Sequence, residues 1–106
     1  MRDPREIATM ADLRREIDDL DRRLMALLGA RARLIDRAAE LKPAEGMPAR
    51  VGPRVEEVAM NARANAAEAG FDPDLAEELW RRMIEWSIAR EEAVMGPDDE
   101  RTADGG

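Results

Sequence analysis

The sequence contains no cysteine and no histidine. The first absence removes disulfides, thiolate nucleophiles and cysteine metal ligands, and leaves the redox compartment open. The second removes the usual general base near neutral pH and the commonest metal ligand, so no metal site is expected. Any chemistry must run on carboxylates, amines, guanidiniums and hydroxyls. No apolar run approaches the roughly 20 residues that span a bilayer, and the opening Met1-Arg2-Asp3-Pro4-Arg5-Glu6 lacks the apolar stretch of a secretion signal. A cytoplasmic protein is therefore expected. Positive charge is in deficit, with a formal net charge of −7. Nucleic acid and anionic membranes would be repelled by most of such a surface and are not expected partners. A small anion remains open if cations gather in one place.

What is present points to helices. A length of 106 residues gives room for one domain with a modest core. Hydrophobic residues at 44%, charged residues at 39% and aromatics at only 3% match the Ala/Glu/Leu/Arg balance of helical proteins. β-Branched runs and Asn-Gly or Asp-Gly hairpin signals are missing, so the expected fold class is all-α with no sheet.

Proline and glycine divide the chain into three helices with tails. Over residues 10–42, Leu13, Ile17, Leu20, Leu24, Leu27, Leu34, Ala38 and Leu41 recur at steps of three and four, the spacing of an amphipathic helix with Gly29 as its weak point. Pro43, Gly46, Pro48, Gly52 and Pro53 make a loop. A second helix is predicted over 54–69, with Pro53 suited to its first turn, Gly70 to its stop, and a small inner face of Val55, Val58, Ala59, Ala62 and Ala66. Asp72 is a natural N-cap and Pro73 a natural first residue for a third helix running to Met95. Residues 1–9 read as an extension, 10–96 as one helical domain, and the polar stretch 97–106 as a disordered tail.

A helix of about 30 residues is about 45 Å long, whereas a compact chain of this size has a radius of gyration of about 13 Å. Two shorter helices of the same chain cannot cover it. The expected architecture is an intertwined helical homodimer in which each site draws on both chains.

Several polar residues interrupt the apolar stripe. Arg14, Asp21, Leu28, Ile35 and Lys42 repeat at intervals of about seven along one line of the first helix, with Arg31 on the same side as Leu28. Arg14, Arg31 and Lys42 thus edge a face that should be buried. Long cationic stems can cover apolar surface while their heads reach water. Buried together, however, the cations need an anion, either Asp21 or a bound carboxylate. On the third helix Ser87 and Glu91 stand one turn apart among Trp80, Met83, Ile84, Ile88, Val94 and Met95, placing a hydroxyl and a carboxyl on the apolar face. Two readings remain open for them: a packing residue beside a solvated glutamate, or a site. Trp80 and Trp86 are expected in the core, and the runs Glu56-Glu57, Glu77-Glu78 and Arg81-Arg82 on solvated faces.

Leu13-Arg14, Ile17-Asp18, Leu20-Asp21, Leu27, Leu28, Arg31, Lys42, Arg54, Ile84-Glu85-Trp86-Ser87 and Glu91 follow one another in an order that resembles the all-helical chorismate mutases, including the related isochorismate pyruvate lyases. The resemblance covers about residues 10–95 and lies in the joint order and spacing of motifs that are individually short. It implies a Claisen rearrangement of chorismate to prephenate, with no covalent intermediate, no obligatory proton transfer and no cofactor. Arg14 of a neighbouring subunit and Arg31 would bind the two substrate carboxylates, Arg54 would add positive charge, and Ser87 would hydrogen-bond the ring carboxylate. Lys42 would contact the enolpyruvyl carboxylate and the ether oxygen, which Glu91 would approach from the other side.

Two positions depart from the family pattern. Glu91 stands where glutamine is common, and a glutamate donates to an ether oxygen only when protonated. Activity greatest at mildly acidic pH, or a carboxyl that keeps its proton at neutrality, is the expectation. Val51 and Val55 occupy positions where acidic residues often bind the ring hydroxyl. Isochorismate pyruvate lyase and a mutase acting on 4-amino-4-deoxychorismate are therefore alternative activities. A helical dimerisation module without catalysis is the alternative outside enzymes.

Overall fold

Short polar side chains and glycines set the helix boundaries. The computed structural model describes residues 3–96, and three α-helices and one 3₁₀ turn are found among them, with no strand. The expected disordered tail over 97–106 lies outside the described residues. Helix α1 spans Met10–Ala44, α2 spans Gly52–Ala69 and α3 spans Pro73–Met95. The chain divides into two compact units, Met1–Arg33 and Leu34–Gly106.

The first unit holds the 3₁₀ turn Pro4–Glu6 and the N-terminal turns of α1. Asp3 caps the turn by accepting from the Arg5 N–H at 3.0 Å. Thr9 Oγ1 accepts from the Asp12 N–H at 3.1 Å and so supplies one of the partners that a helix start lacks. No described residue of this unit is buried. Its apolar residues keep their helical spacing, yet Leu27 is 68% exposed and Ile17, Leu20 and Leu24 are exposed too.

The second unit holds the last turns of α1 together with α2 and α3. Helix α1 continues through Pro43, where the sequence suggests a loop. The reason is local: a proline one residue from the end removes a single donor and its ring displaces little of the helix that remains. The helix then closes in a Schellman arrangement. Gly46 at φ +71° takes the left-handed conformation, Met47 N–H donates to the Lys42 carbonyl at 2.9 Å, and Gly46 N–H donates to that of Pro43 at 3.1 Å. Gly70 repeats the device after α2 at φ +76°, with Phe71 N–H donating to the Ala66 carbonyl at 2.8 Å. Asp72 Oδ1 accepts from Asp74 N–H at 2.9 Å and starts α3 as expected. Helix α2 begins two residues before Arg54, because Pro53 at its N-terminus needs no donor partner.

The core of this unit is Ala49, Ala59, Ile84 and Ile88, with Val55, Val58 and Met95 packed on it. Small residues Ala59, Ala62 and Ala66 on α2 and Ala76 on α3 are buried, so the two backbones approach closely. Arg81 donates to Glu77 at 2.7 Å and across to Glu56 at 2.9 Å, and Arg63 meets Glu77 at 2.9 Å and Asp74 at 2.8 Å. Glu56, Glu77 and Arg81 are therefore partners in an inter-helix network rather than members of purely solvated faces. At the other side, Arg90 grips Asp36 of α1 through both carboxylate oxygens at 2.5 and 3.0 Å. Trp86 departs from the expected core: it is half exposed, with the Arg90 guanidinium 5.2 Å from its ring centroid. No helix among the described residues is long and apolar enough to cross a membrane.

Candidate active site

Lys42 sits in the last turn of α1, where the unsatisfied carbonyls of a helix end favour a cation. Its Nζ donates to the Ala49 carbonyl at 2.6 Å and to Glu91 Oε1 at 2.7 Å. An ammonium has three N–H donors, and among the described residues the third meets no protein acceptor. Lys42 is also the only lysine in the sequence, every other basic side chain being arginine.

Glu91 is 3% exposed and Ser87, one turn earlier on the same face of α3, is 4% exposed. The amphipathic spacing of α3 puts both there: Ala76, Ile84, Ser87, Ile88 and Glu91 are its buried residues. The reading of Glu91 as a solvated member of an Arg-Glu-Glu run is thereby set aside. A buried ion pair is a poor way to gain stability, since well-packed apolar replacements are often neutral or about 1–4 kcal/mol more stable. The Lys42–Glu91 pair thus costs desolvation that apolar packing would avoid, as a site for a charged ligand does.

Arg54 lies exposed in the first turn of α2 and donates to Glu57, one turn on in the same helix. Arg14 and Arg31 belong to the first unit, Arg14 exposed and Arg31 half-buried on α1. Val51 and Val55, where the sequence lacks acidic residues, are half-buried, and Val55 packs on the core. Among the described residues no group of three or more acidic side chains is arranged to hold a metal ion.

Sequence reasoning missed the Ala49 carbonyl as a partner of Lys42, because a backbone acceptor leaves no trace in side-chain type. It also gave Arg50 no role and Glu85 only a place in a motif. The Arg50 guanidinium bonds both Glu85 oxygens, at 2.9 and 2.5 Å, and joins the connector before α2 to α3. The solitary lysine was a legible signal that went unused.

The arrangement is suited to an anion with a weakly basic oxygen: a fixed cation in a half-buried setting, a carboxyl beside it, and a hydroxyl one turn away. Residues 13–92 match the family described as chorismate mutase type II. The chain is 35% identical over 82 residues to the T-protein of Haemophilus influenzae, an alignment covering 77% of this chain and 22% of that protein. It is 33% identical over 85 residues to the T-protein of Enterobacter agglomerans, covering 80% and 23%. The chain spans less than a quarter of the length of these curated relatives.

Proposed function

Because the chain belongs to the chorismate mutase type II family, a family of isomerases, we propose that it rearranges chorismate to prephenate in the cytoplasm, with residues 10–96 as the catalytic domain. The observation that carries this reading is the Lys42 ammonium, held by Ala49 and Glu91 with one N–H unused by the protein among the described residues.

The reaction breaks the ether C–O bond while a C–C bond forms within the same molecule, so no cofactor and no nucleophile are needed. Partial negative charge develops on the ether oxygen, and a fixed donor in a half-buried site stabilises it without reorganisation. Lys42 supplies that donor, and Glu91 approaches the same oxygen from the other side. Arg31 and Arg14 of a neighbouring subunit grip the two carboxylates, which holds the substrate in its compact reactive shape. Ser87 bonds the ring carboxylate, and Arg54 adds positive charge. A rate gain of about 10⁶ requires roughly 8 kcal/mol, and one oriented donor is worth about 3 to 4, so positioning together with Lys42 and Glu91 reaches that range.

The subunit that supplies Arg14 is a second copy of the chain in an intertwined homodimer. Support comes from burial. Among the described residues six of the eight buried apolar ones are alanine, while Leu20, Leu24, Leu27 and Leu34 remain exposed in the single chain. Such a stripe is wider than isolated surface apolar residues and calls for a covering partner.

A second reading rests on Val51 and Val55. Half-buried apolar side chains in place of ring-hydroxyl acceptors fit an isochorismate pyruvate lyase. The test is loss of chorismate absorbance with purified protein from acid to neutral pH, with prephenate identified as product and Lys42→Ala as control. Turnover abolished in the variant supports the mutase. No turnover at any pH, with salicylate formed from isochorismate, replaces it by the lyase.

A further inference from the structure

A donor is only as well placed as the acceptors that aim it. Ala49 lies in the connector 45–51, outside any helix, yet its carbonyl stands 2.6 Å from Lys42 Nζ. The Ala49 side chain is 2% exposed and packs with Ala59, Ile84 and Ile88, which fixes its position but leaves rotation of the following peptide to be restrained. Arg50, the next residue, supplies that restraint through two parallel hydrogen bonds to Glu85. A fork on a carboxylate sets orientation as well as distance. Both side chains are about half exposed, 45% and 59%, so the pair adds little to global stability. Glu85 and Glu91 belong to the same helix, α3. One rigid element therefore carries the carboxylate that receives Lys42 and the one that anchors the residue after Ala49.

We propose that Arg50 and Glu85 are positioning residues whose bidentate pair pins the connector to α3, so that the Ala49 carbonyl and the Glu91 carboxylate hold Lys42 Nζ from two sides. This rests on the reading of Lys42 as the donor to the substrate's ether oxygen. The exposed Arg37–Glu40 pair lies within a single helix and is the control, since it spans no connector.

The solitary lysine makes the placement measurable without turnover: protein labelled with ¹⁵N-lysine gives one Nζ signal. Hydrogen exchange at that ammonium, helix content, and kcat and KM for chorismate are measured for wild type, Arg50→Ala, Glu85→Ala, Arg37→Ala, and the exchanged pair Arg50→Glu with Glu85→Arg. In each single variant of the clamp Nζ exchange is faster and helix content is unchanged. Their kcat falls about 10- to 100-fold, the range reached by a misplacement of about 1 Å, with a smaller change in KM. The exchanged pair recovers both, and Arg37→Ala alters neither. Wild-type exchange and kcat in either single variant overturn the proposal. So does a folded exchanged pair with fast exchange, and so does unfolding of both single variants, which would make the pair structural. If the wild type does not turn over chorismate, the mutase reading fails, and Nζ exchange alone decides the positioning role.

Discussion

Lys42 Nζ and Glu91 Oε1 stand 2.7 Å apart, the lysine side chain 21% exposed and the glutamate 4%. The pair joins the last turn of α1 to α3 and puts a cation and an anion where either one alone would be costly. Removing the lysine leaves a buried carboxylate without its partner. Lys42→Met is therefore expected to lower the unfolding free energy by about 3–5 kcal/mol, and adding Glu91→Leu to restore most of it. Urea titrations of the two variants against wild type measure this; equal midpoints would refute it.

Glu91→Gln keeps an oxygen acceptor for Lys42 and always offers an N–H beside it. Its chorismate turnover is expected to match or exceed that of the wild type. Glu91→Ala leaves Lys42 with the Ala49 carbonyl alone and is expected to lower kcat by about 10²-fold. Full activity in Glu91→Ala would remove Glu91 from the mechanism.

Acid should loosen the second unit through other groups. Arg90 holds Asp36 below its ordinary value of 3.8, and Arg81 with Arg63 holds Glu77, and Arg50 holds Glu85, below 4.5. Folded values below unfolded ones mean that the unfolded chain binds more protons, so stability rises with pH through this window. The stabilisation is present above the ordinary carboxylate range and is lost as pH falls through the folded values. The urea midpoint should accordingly hold steady from neutrality to about pH 5 and then decline. Asp36→Asn should make that decline shallower.

Glycine substitutions should have opposite signs at different places. Gly46 and Gly70 occupy left-handed conformations, so alanine at either costs about 1–2 kcal/mol. Gly29 is helical, and a methyl there would meet only the tip of Arg33 at 3.8 Å. Gly29→Ala should gain up to about 1 kcal/mol in helix propensity. Thermal unfolding of the three variants checks the pattern, and stabilisation by Gly46→Ala would contradict the capping geometry.

The exposed stripe of the first unit predicts assembly. Sedimentation should find the wild type at twice the 11.9 kDa chain mass, and Leu24→Glu should shift it toward monomer with loss of helix content. A wild type that sediments as a monomer at every concentration would rule out the second copy.

Much of the fold could be read from residue spacing because the relevant forces are local. Asp72, Gly70 and the three-and-four periodicity of α1 act within a turn or two of themselves, and each falls where expected. The spacing also puts Ser87 and Glu91 on the apolar face of one helix but leaves a solvated Glu91 open, and the structure buries both. Boundaries moved where a proline needs no partner, at Pro43 and Pro53. The contacts between elements were not legible. Arg90 with Asp36, Arg81 with Glu56 and Arg50 with Glu85 depend on how helices are rotated and shifted against one another, which residue type alone does not encode. Trp86 misled for a related reason: α3 offers a second, adjacent apolar stripe through Leu75, Leu79 and Val94, and the tryptophan lies with it on the exposed side.

That the half-buried ammonium of Lys42 belongs to the sole lysine also makes the chain unusually selective toward acylating reagents. Guanidiniums resist them, so, the α-amino group aside, acetylation or coupling to an activated ester has one target, and it would erase the positive charge beside Glu91. Loss of function would then track a single covalent event, and any dianion occupying the site would slow it.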